Sequence, residues 1–115
     1  MNTLWLDDIR EPAKHGYIGA TWVKTYEDCI KALATGLYDF ASFDHDLSED
    51  ATMGRASKDE KTGYSVICWL KANPEYWPEH GIKVHSHNAD GAAAMRQVIE
   101  KHYNRRFDSL RSQGL

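Results

Sequence analysis

The segment YDFASFDHDL, residues 38–47, decides the fold of this 115-residue chain. Its first six residues, Tyr38 to Phe43, form an apolar run with the length of a buried β-strand. The run leads into two carboxylates that flank an imidazole: Asp44, His45 and Asp46. Strand interiors do not hold three ionisable groups without partners, whereas the carboxyl ends of parallel strands border the crevice in which α/β sheets bind ligands. We therefore predict a buried parallel strand with a functional site at its carboxyl end.

Two other segments repeat this pattern of an apolar run followed by polar side chains. Residues 4–6, Leu-Trp-Leu, are followed by Asp7 and Asp8. Residues 82–84, Ile-Lys-Val, are followed by the segment His-Ser-His-Asn at 85–88. Because the carboxyl ends of parallel strands meet at one edge of a sheet, we expect the three polar segments to form a single site.

The remaining segments complete a βαβ alternation along the chain. A second strand is predicted at residues 20–24, and helices are predicted to begin near Thr25, Thr62 and Asp90. This order is typical of an α/β fold with a mostly parallel sheet. Right-handed crossovers then favour a small three-layer fold with strand order 2-1-3-4 and no room for a fifth strand. One domain is expected over residues 1–107, with a frayed tail at 108–115. The polar segment 47–62 is interpreted either as a lid over the site or as plain disorder.

Composition indicates an ordinary globular domain. Apolar residues make up 42% and charged residues 27% of the chain, and a net charge of -3 argues against strong non-specific binding to nucleic acid. The last quarter is nevertheless basic, which permits a phosphate-bearing partner. Cys29 and Cys68 are interpreted as small core residues in a reducing compartment. With no apolar run of membrane-spanning length and no signal-peptide pattern at residues 1–3, we expect no membrane partner and a cytoplasmic location in a bacterial or phage-infected cell.

The carboxylates predict a divalent cation. Asp7, Asp8, Asp44 and Asp46 would repel one another at one edge of the sheet, and a bound ion relieves that repulsion. Oxygen ligands favour Mg²⁺. If the nearby histidines were also ligands, the preference would move toward Mn²⁺, Zn²⁺ or another transition metal.

The histidines have a second interpretation as general acid and base, because their pKa values lie near neutrality. His85 and His87 are two residues apart in a predicted strand and would share a face. Ser86 would then point to the other face, so a Ser-His nucleophile is disfavoured unless the strand has already ended.

Taken together, the motifs resemble those of the cyclic-phosphate-processing receiver domain, a variant of the receiver (response-regulator) fold. The resemblance covers residue 4 to about residue 100. It rests on LWLDD at 4–8 with Arg10, SFDHDL at 42–47, TGY at 62–64, and VHSHN at 84–88 with Gly91 and Met95. Ordinary receivers carry a lysine at the end of a fifth strand, and the tail of this chain contains none. The resemblance therefore implies the metal-phosphate geometry and speaks against phosphoacceptor signalling.

The function implied by this resemblance is a metal-dependent phosphoesterase that opens a cyclic phosphate. The substrate would be an RNA 2′,3′-cyclic end, an ADP-ribose cyclic phosphate or a cyclic nucleotide, so the partner is a phosphate-bearing small molecule or an RNA end. In this scheme Mg²⁺ or Mn²⁺ is held by the four aspartates, with Asp44 also a possible nucleophile. The catalytic residues would be Asp44, His45, His85 and His87, and the phosphate would contact Arg10, Ser86 and Asn88. Two alternatives stay open: a phosphoacceptor receiver, and a non-catalytic module that binds a phosphate ligand or a host protein.

Overall fold

Four parallel strands form the sheet in the computed structural model, which describes residues 1–48 and 60–112. They are β1 (Thr3–Leu6), β2 (Thr21–Val23), β3 (Phe40–Phe43) and β4 (Ile82–Val84). The strand order is β2-β1-β3-β4, and every pairing is parallel. The predicted α/β class and strand order are confirmed, and within the described residues the sheet has no fifth strand.

Each of the three helices in the described residues follows a polar residue of a type that favours helix starts. Helix α1 (Tyr26–Leu33) begins after Thr25, whose hydroxyl accepts a hydrogen bond of 3.1 Å from the Asp28 N–H. Helix α2 (Gly63–Ala72) begins after Thr62. Helix α3 (Ala89–Ser112) begins at Asn88, whose side-chain oxygen accepts a 2.9 Å hydrogen bond from the Gly91 N–H. The prediction of Asp90 as the cap of α3 is therefore wrong.

Helix α3 extends further than the sequence indicated. It is helical to Ser112, so residues 108–112 continue the helix that was expected to end at 107. Residues 113–115 lie outside the described residues, as do residues 49–59 of the segment for which a lid or disorder was predicted. No helix in the described part of the chain combines the length and the apolar character needed to cross a membrane.

Both faces of the sheet are buried, each by a different part of the chain. Alternate strand residues such as Leu4, Leu6 and Phe43 pack against the helices in one core. Trp5 and Ser42 are register partners and occupy the opposite face, where both are buried. A 3₁₀ helix at residues 12–15 and the loop after it cover that face, so the third layer is short and irregular.

The cysteines divide between core and surface. Cys29 on α1 is buried in the core, as predicted, whereas Cys68 on α2 is exposed. The core-facing residues of α2 are Val66, Ile67 and Leu70, which leaves position 68 on the solvent side of the helix.

Candidate metal centre and its surroundings

The carboxyl ends of β1 and β3 bring three carboxylates together. Leu6 pairs with Phe43, and the ladder continues for one bond beyond them, with the Asp44 N–H donating to the Leu6 carbonyl at 2.8 Å. The next residues on both strands therefore leave the sheet at the same level. One ligand oxygen each from Asp7, Asp8 and Asp44 lies within 4.8 Å of the other two. The predicted convergence of these three residues is confirmed.

Asp7 is the most firmly held of the three. Its Oδ1 accepts hydrogen bonds from the backbone N–H groups of Ile9 (2.9 Å) and Arg10 (2.8 Å), and its Oδ2 lies 3.1 Å from His85 Nε2. Burial alone would raise its pKa, but the His85 and backbone hydrogen bonds and the Arg10 charge together hold the pKa below its ordinary value. Asp7 is therefore ionised, and its bonded Oδ1 has no acceptor capacity left for a ligand.

The pKa values of Asp8 and Asp44 are shifted in the opposite direction. Burial and then repulsion by Asp7 raise the pKa of Asp44, against hydrogen bonds from the Ser86 side chain and the His45 N–H. Burial also raises the pKa of Asp8, with repulsion from neighbouring carboxylates adding to the effect. Both carboxylates would be stabilised in the charged form by a cation placed between them.

This donor set fits a hard divalent cation. The cluster formed by the described residues contains carboxylates alone, with no imidazole or thiolate among its members. Since Asp7 is largely committed to the backbone and to His85, Asp8 and Asp44 have the greater capacity to act as ligands. Asp46, the fourth predicted ligand, is outside the cluster, and its Oδ1 lies 2.8 Å from His45 Nδ1.

His85 contacts Asp7 and so supports the acidic cluster. Strand β4 ends at Val84, so the alternation that would place His85 and His87 on one face does not apply. The His85 ring stacks on Trp5, with centroids 3.8 Å apart and planes at 8°, and its Nδ1 lies 2.7 Å from Ser42 Oγ. Both ring nitrogens thus have protein partners, whereas the side chain of His87 is exposed at the rim.

Ser42 is a member of the site that the sequence analysis did not select. It is the polar residue within the apolar run of β3, and this was the available signal. The chain of contacts from Ser42 through His85 to Asp7 has the composition of a Ser-His-Asp triad. Ser42 is completely buried, however, so its hydroxyl cannot reach a substrate. We interpret this series of contacts as a support that orients Asp7.

His45 is oriented by a second carboxylate. Its Nδ1 faces Asp46 Oδ1, and both side chains are mostly buried. The start of α3 lies against the ring: a Cβ on Gly91 would sit 2.6 Å from two ring carbons of His45. The start of α2 is equally close to the neighbouring residue, because a Cβ on Gly63 would lie 1.9 Å from the Asp44 carbonyl oxygen. Glycine at both helix starts lets the helices pack directly on the site loop.

The three predicted phosphate-binding residues surround the cluster but already have partners. Arg10 Nη1 donates to the His85 carbonyl at 2.6 Å, and its charge acts on the carboxylates of the cluster. The Ser86 side chain hydrogen-bonds with Asp44 and accepts from the Asn88 N–H at 3.1 Å. Asn88 caps α3 and also donates to Asp46 Oδ1 at 3.3 Å.

Comparison with known proteins agrees with this arrangement. A family model described as the cyclic-phosphate processing receiver domain matches residues 2–101. Searches of curated proteins and of solved structures return no match. The matched region includes all four strands, the acidic cluster, all of α2 and the first half of α3. The chain therefore belongs to the cyclic-phosphate processing receiver domain family.

Proposed function

We propose that this protein is a metal-dependent phosphoesterase that hydrolyses a cyclic phosphate to a phosphomonoester. The observation that carries the proposal is the group of three carboxylates within 4.8 Å, two of them with raised pKa values. The family and the adjacent oriented histidine support it. The substrate class includes an RNA 2′,3′-cyclic end, an ADP-ribose cyclic phosphate and a cyclic nucleotide.

Asp8 and Asp44 would hold the ion, with Asp7 Oδ2 assisting. A bound Mg²⁺ or Mn²⁺ would neutralise these carboxylates and stabilise negative charge that develops on the phosphate. Arg10 supplies positive charge at the same edge of the sheet. Ser86 and Asn88, which follow β4 and contact Asp44 and Asp46, would bind a phosphate oxygen.

The reaction needs one proton removed and one delivered. Water attacks phosphorus, one ring P–O bond breaks, and the leaving oxygen takes up a proton. His45 is the best oriented group for proton transfer, because Asp46 occupies Nδ1 and leaves Nε2 to exchange a proton. His87 is exposed and has rotational freedom to serve the same purpose at the rim. His85 is better assigned to positioning, since a partner occupies each of its nitrogens.

The test is to incubate the protein with a panel of cyclic phosphates and several divalent metals and to measure new phosphomonoester. Variants His45→Ala and His87→Ala are then compared at saturating metal. Loss of an acid or base should lower turnover by roughly 10²–10⁴-fold while metal affinity stays near its original value. A loss of metal affinity that parallels the loss of activity would identify the residue as a ligand instead. Unchanged rates in both variants would rule out the histidine assignment.

A phosphoacceptor function is the second candidate, favoured by one observation. Asp44 is 5% exposed at the end of a central strand and hydrogen-bonds with the Ser86 side chain, which could also hold a phosphoryl oxygen. Beryllofluoride with Mg²⁺ separates the two functions, because a phosphoacceptor should bind it stoichiometrically and change conformation. A non-catalytic binding module would instead retain a cyclic phosphate unchanged in the presence of metal.

A further inference from the structure

A recess lies between two of the helices, away from the acidic cluster. Its volume is about 310 Å³, and it lies between the end of α2 and the middle of α3. Trp77 and His102 form its floor, with ring centroids 4.0 Å apart and planes at 8°. An adjoining recess shares Pro74, Trp77, His102 and Arg105, so the two form one elongated groove.

The walls of this groove carry positive charge. Lys71, Lys101 and Arg105 line it, and all three are exposed. Arg106 is partly neutralised by Glu79, at 3.6 Å, which leaves Glu75 as the opposing charge in the groove. The pKa of His102 is lowered by burial and then by Arg106 and Arg105, in accord with a local positive potential. This surface contrasts with the net charge of -3 of the whole chain.

The groove is separate from the metal centre. Helix α3 starts beside His45, and the groove residues of α3 lie 9 to 17 residues beyond Ala89, or roughly 14–26 Å at 1.5 Å per residue. Lys71 is in the last turn of α2, whose first residue contacts the site loop. None of the residues that line the groove takes part in the chemistry proposed above.

We propose that this groove binds the phosphate backbone of single-stranded nucleic acid. Three exposed cations along an elongated recess with an aromatic floor match the phosphates of a flexible single strand. Three cations support only weak, salt-sensitive binding, which is compatible with the acidic charge of the protein as a whole. The proposal does not depend on the phosphoesterase activity.

Fluorescence anisotropy with a fluorescein-labelled ten-nucleotide uridine oligomer, in EDTA, tests the proposal without the metal centre. With three phosphate contacts, the slope of log K against log salt concentration should be about -2.1, so affinity should fall roughly 18-fold between 50 and 200 mM KCl. Lys101→Gln/Arg105→Gln removes two contacts, and its affinity should fall only roughly 3-fold over that range, from a much weaker starting value.

The matched control is Lys24→Gln/Lys31→Gln. It removes the same charge from exposed positions just after β2 and on α1, neither of which lines the groove. It should bind the oligomer nearly as wild type does. Equal losses in the two double variants would overturn the proposal, because the attraction would then be a diffuse charge effect. Melting curves should show both variants folded, as all four side chains are exposed.

A second readout locates the ligand. In ¹⁵N-labelled protein the indole signal of Trp77 should shift on titration with the oligomer. The indole N–H of Trp22 donates to the Asp7 carbonyl beside the acidic cluster, so its signal should stay in place. Shifts at Trp22 alone would overturn the proposal. Tighter binding of an acidic peptide such as oligoglutamate, or of a duplex, would also overturn it and would identify a different class of partner.

Discussion

Replacing Asp44 by Asn should stabilise the protein without metal and remove its response to metal. The substitution keeps the size of the side chain and an oxygen that can accept from the His45 N–H, but it removes one of the clustered charges. Both effects follow from the same repulsion, so they should appear together.

The magnitude follows from the separation of the carboxylates. Two unit charges no more than 4.8 Å apart repel by at least about 3.5 kcal/mol at an effective dielectric constant near 20. The Arg10 charge offsets part of this, as does the Ser86 hydrogen bond that the Asn can retain only in part. We expect the free energy of unfolding to rise by about 1–3 kcal/mol in the metal-free variant. In wild type, metal at a hundredfold excess over Kd should add about 2.7 kcal/mol.

Thermal melting in EDTA and in excess Mg²⁺ or Mn²⁺ measures both effects. At roughly 4 °C per kcal/mol, the metal-free variant should melt about 4–12 °C above metal-free wild type, and metal should raise wild type alone by about 10 °C. Asp28→Asn is the matched control, because Asp28 is exposed in the first turn of α1. It should lose a little stability and keep the full metal response.

Two results would contradict this reasoning. Equal metal-induced shifts in wild type and Asp44→Asn would show that the ion binds elsewhere. A metal-free Asp44→Asn protein that melts below wild type would show that the Asp44 carboxylate stabilises the fold, against the direction of its pKa shift.

Three further predictions test the surroundings of the cluster. Because the pKa values of Asp8 and Asp44 are raised in the folded state, the stability linked to their protonation is lost as pH rises through those values. As pH falls from neutral toward them, the metal-free protein should therefore melt at a higher temperature, and the increase caused by metal should shrink. Melting scans with and without metal check both trends. Ser42→Ala should cost about 1–3 kcal/mol by leaving His85 Nδ1 without a partner, yet keep hydrolysis within about tenfold at saturating metal. Complete loss of activity in a folded variant would contradict the assignment of Ser42 to a supporting role. Gly63→Ala should destabilise the protein by about 2 kcal/mol or more in urea unfolding, since its Cβ would lie 1.9 Å from the Asp44 carbonyl oxygen. A neutral effect would show that the loop can move away.

Most of the fold was predictable because its signals are local. The apolar runs, the helix starts and the crossover rule lead to four parallel strands in the order 2-1-3-4. The errors concern two details of α3: which of two nearby polar residues caps it, and where it ends. Asn88 and Asp90 are both good caps, and the choice depends on the turn that Ser86 and Asn88 form after β4. Ending α3 at residue 107 overlooks Phe107 and Leu110, which continue the helical spacing of Ile99 and Tyr103.

The sequence predicts which strand ends meet at the site, but not the directions of the side chains there. Asp7, Asp8 and Asp44 follow from strand ends alone. The position of His85 does not, because it depends on where β4 stops. Ending the strand at Val84 lets the ring turn back over Trp5, and only the folded sheet shows that Trp5 and Ser42 are register partners beneath it.

Arg10 explains how the acidic cluster can exist without the lysine of ordinary receivers. Its guanidinium hydrogen-bonds with the His85 carbonyl and lies 3.8 Å from Asp7 Oδ2, and its charge lowers the pKa of each carboxylate in the cluster. A cation anchored to the sheet in this way compensates charge but is not free to follow a phosphoryl group on Asp44. This arrangement supports the proposal of a site for a diffusible phosphate ester over the alternative of a covalent phosphoaspartate.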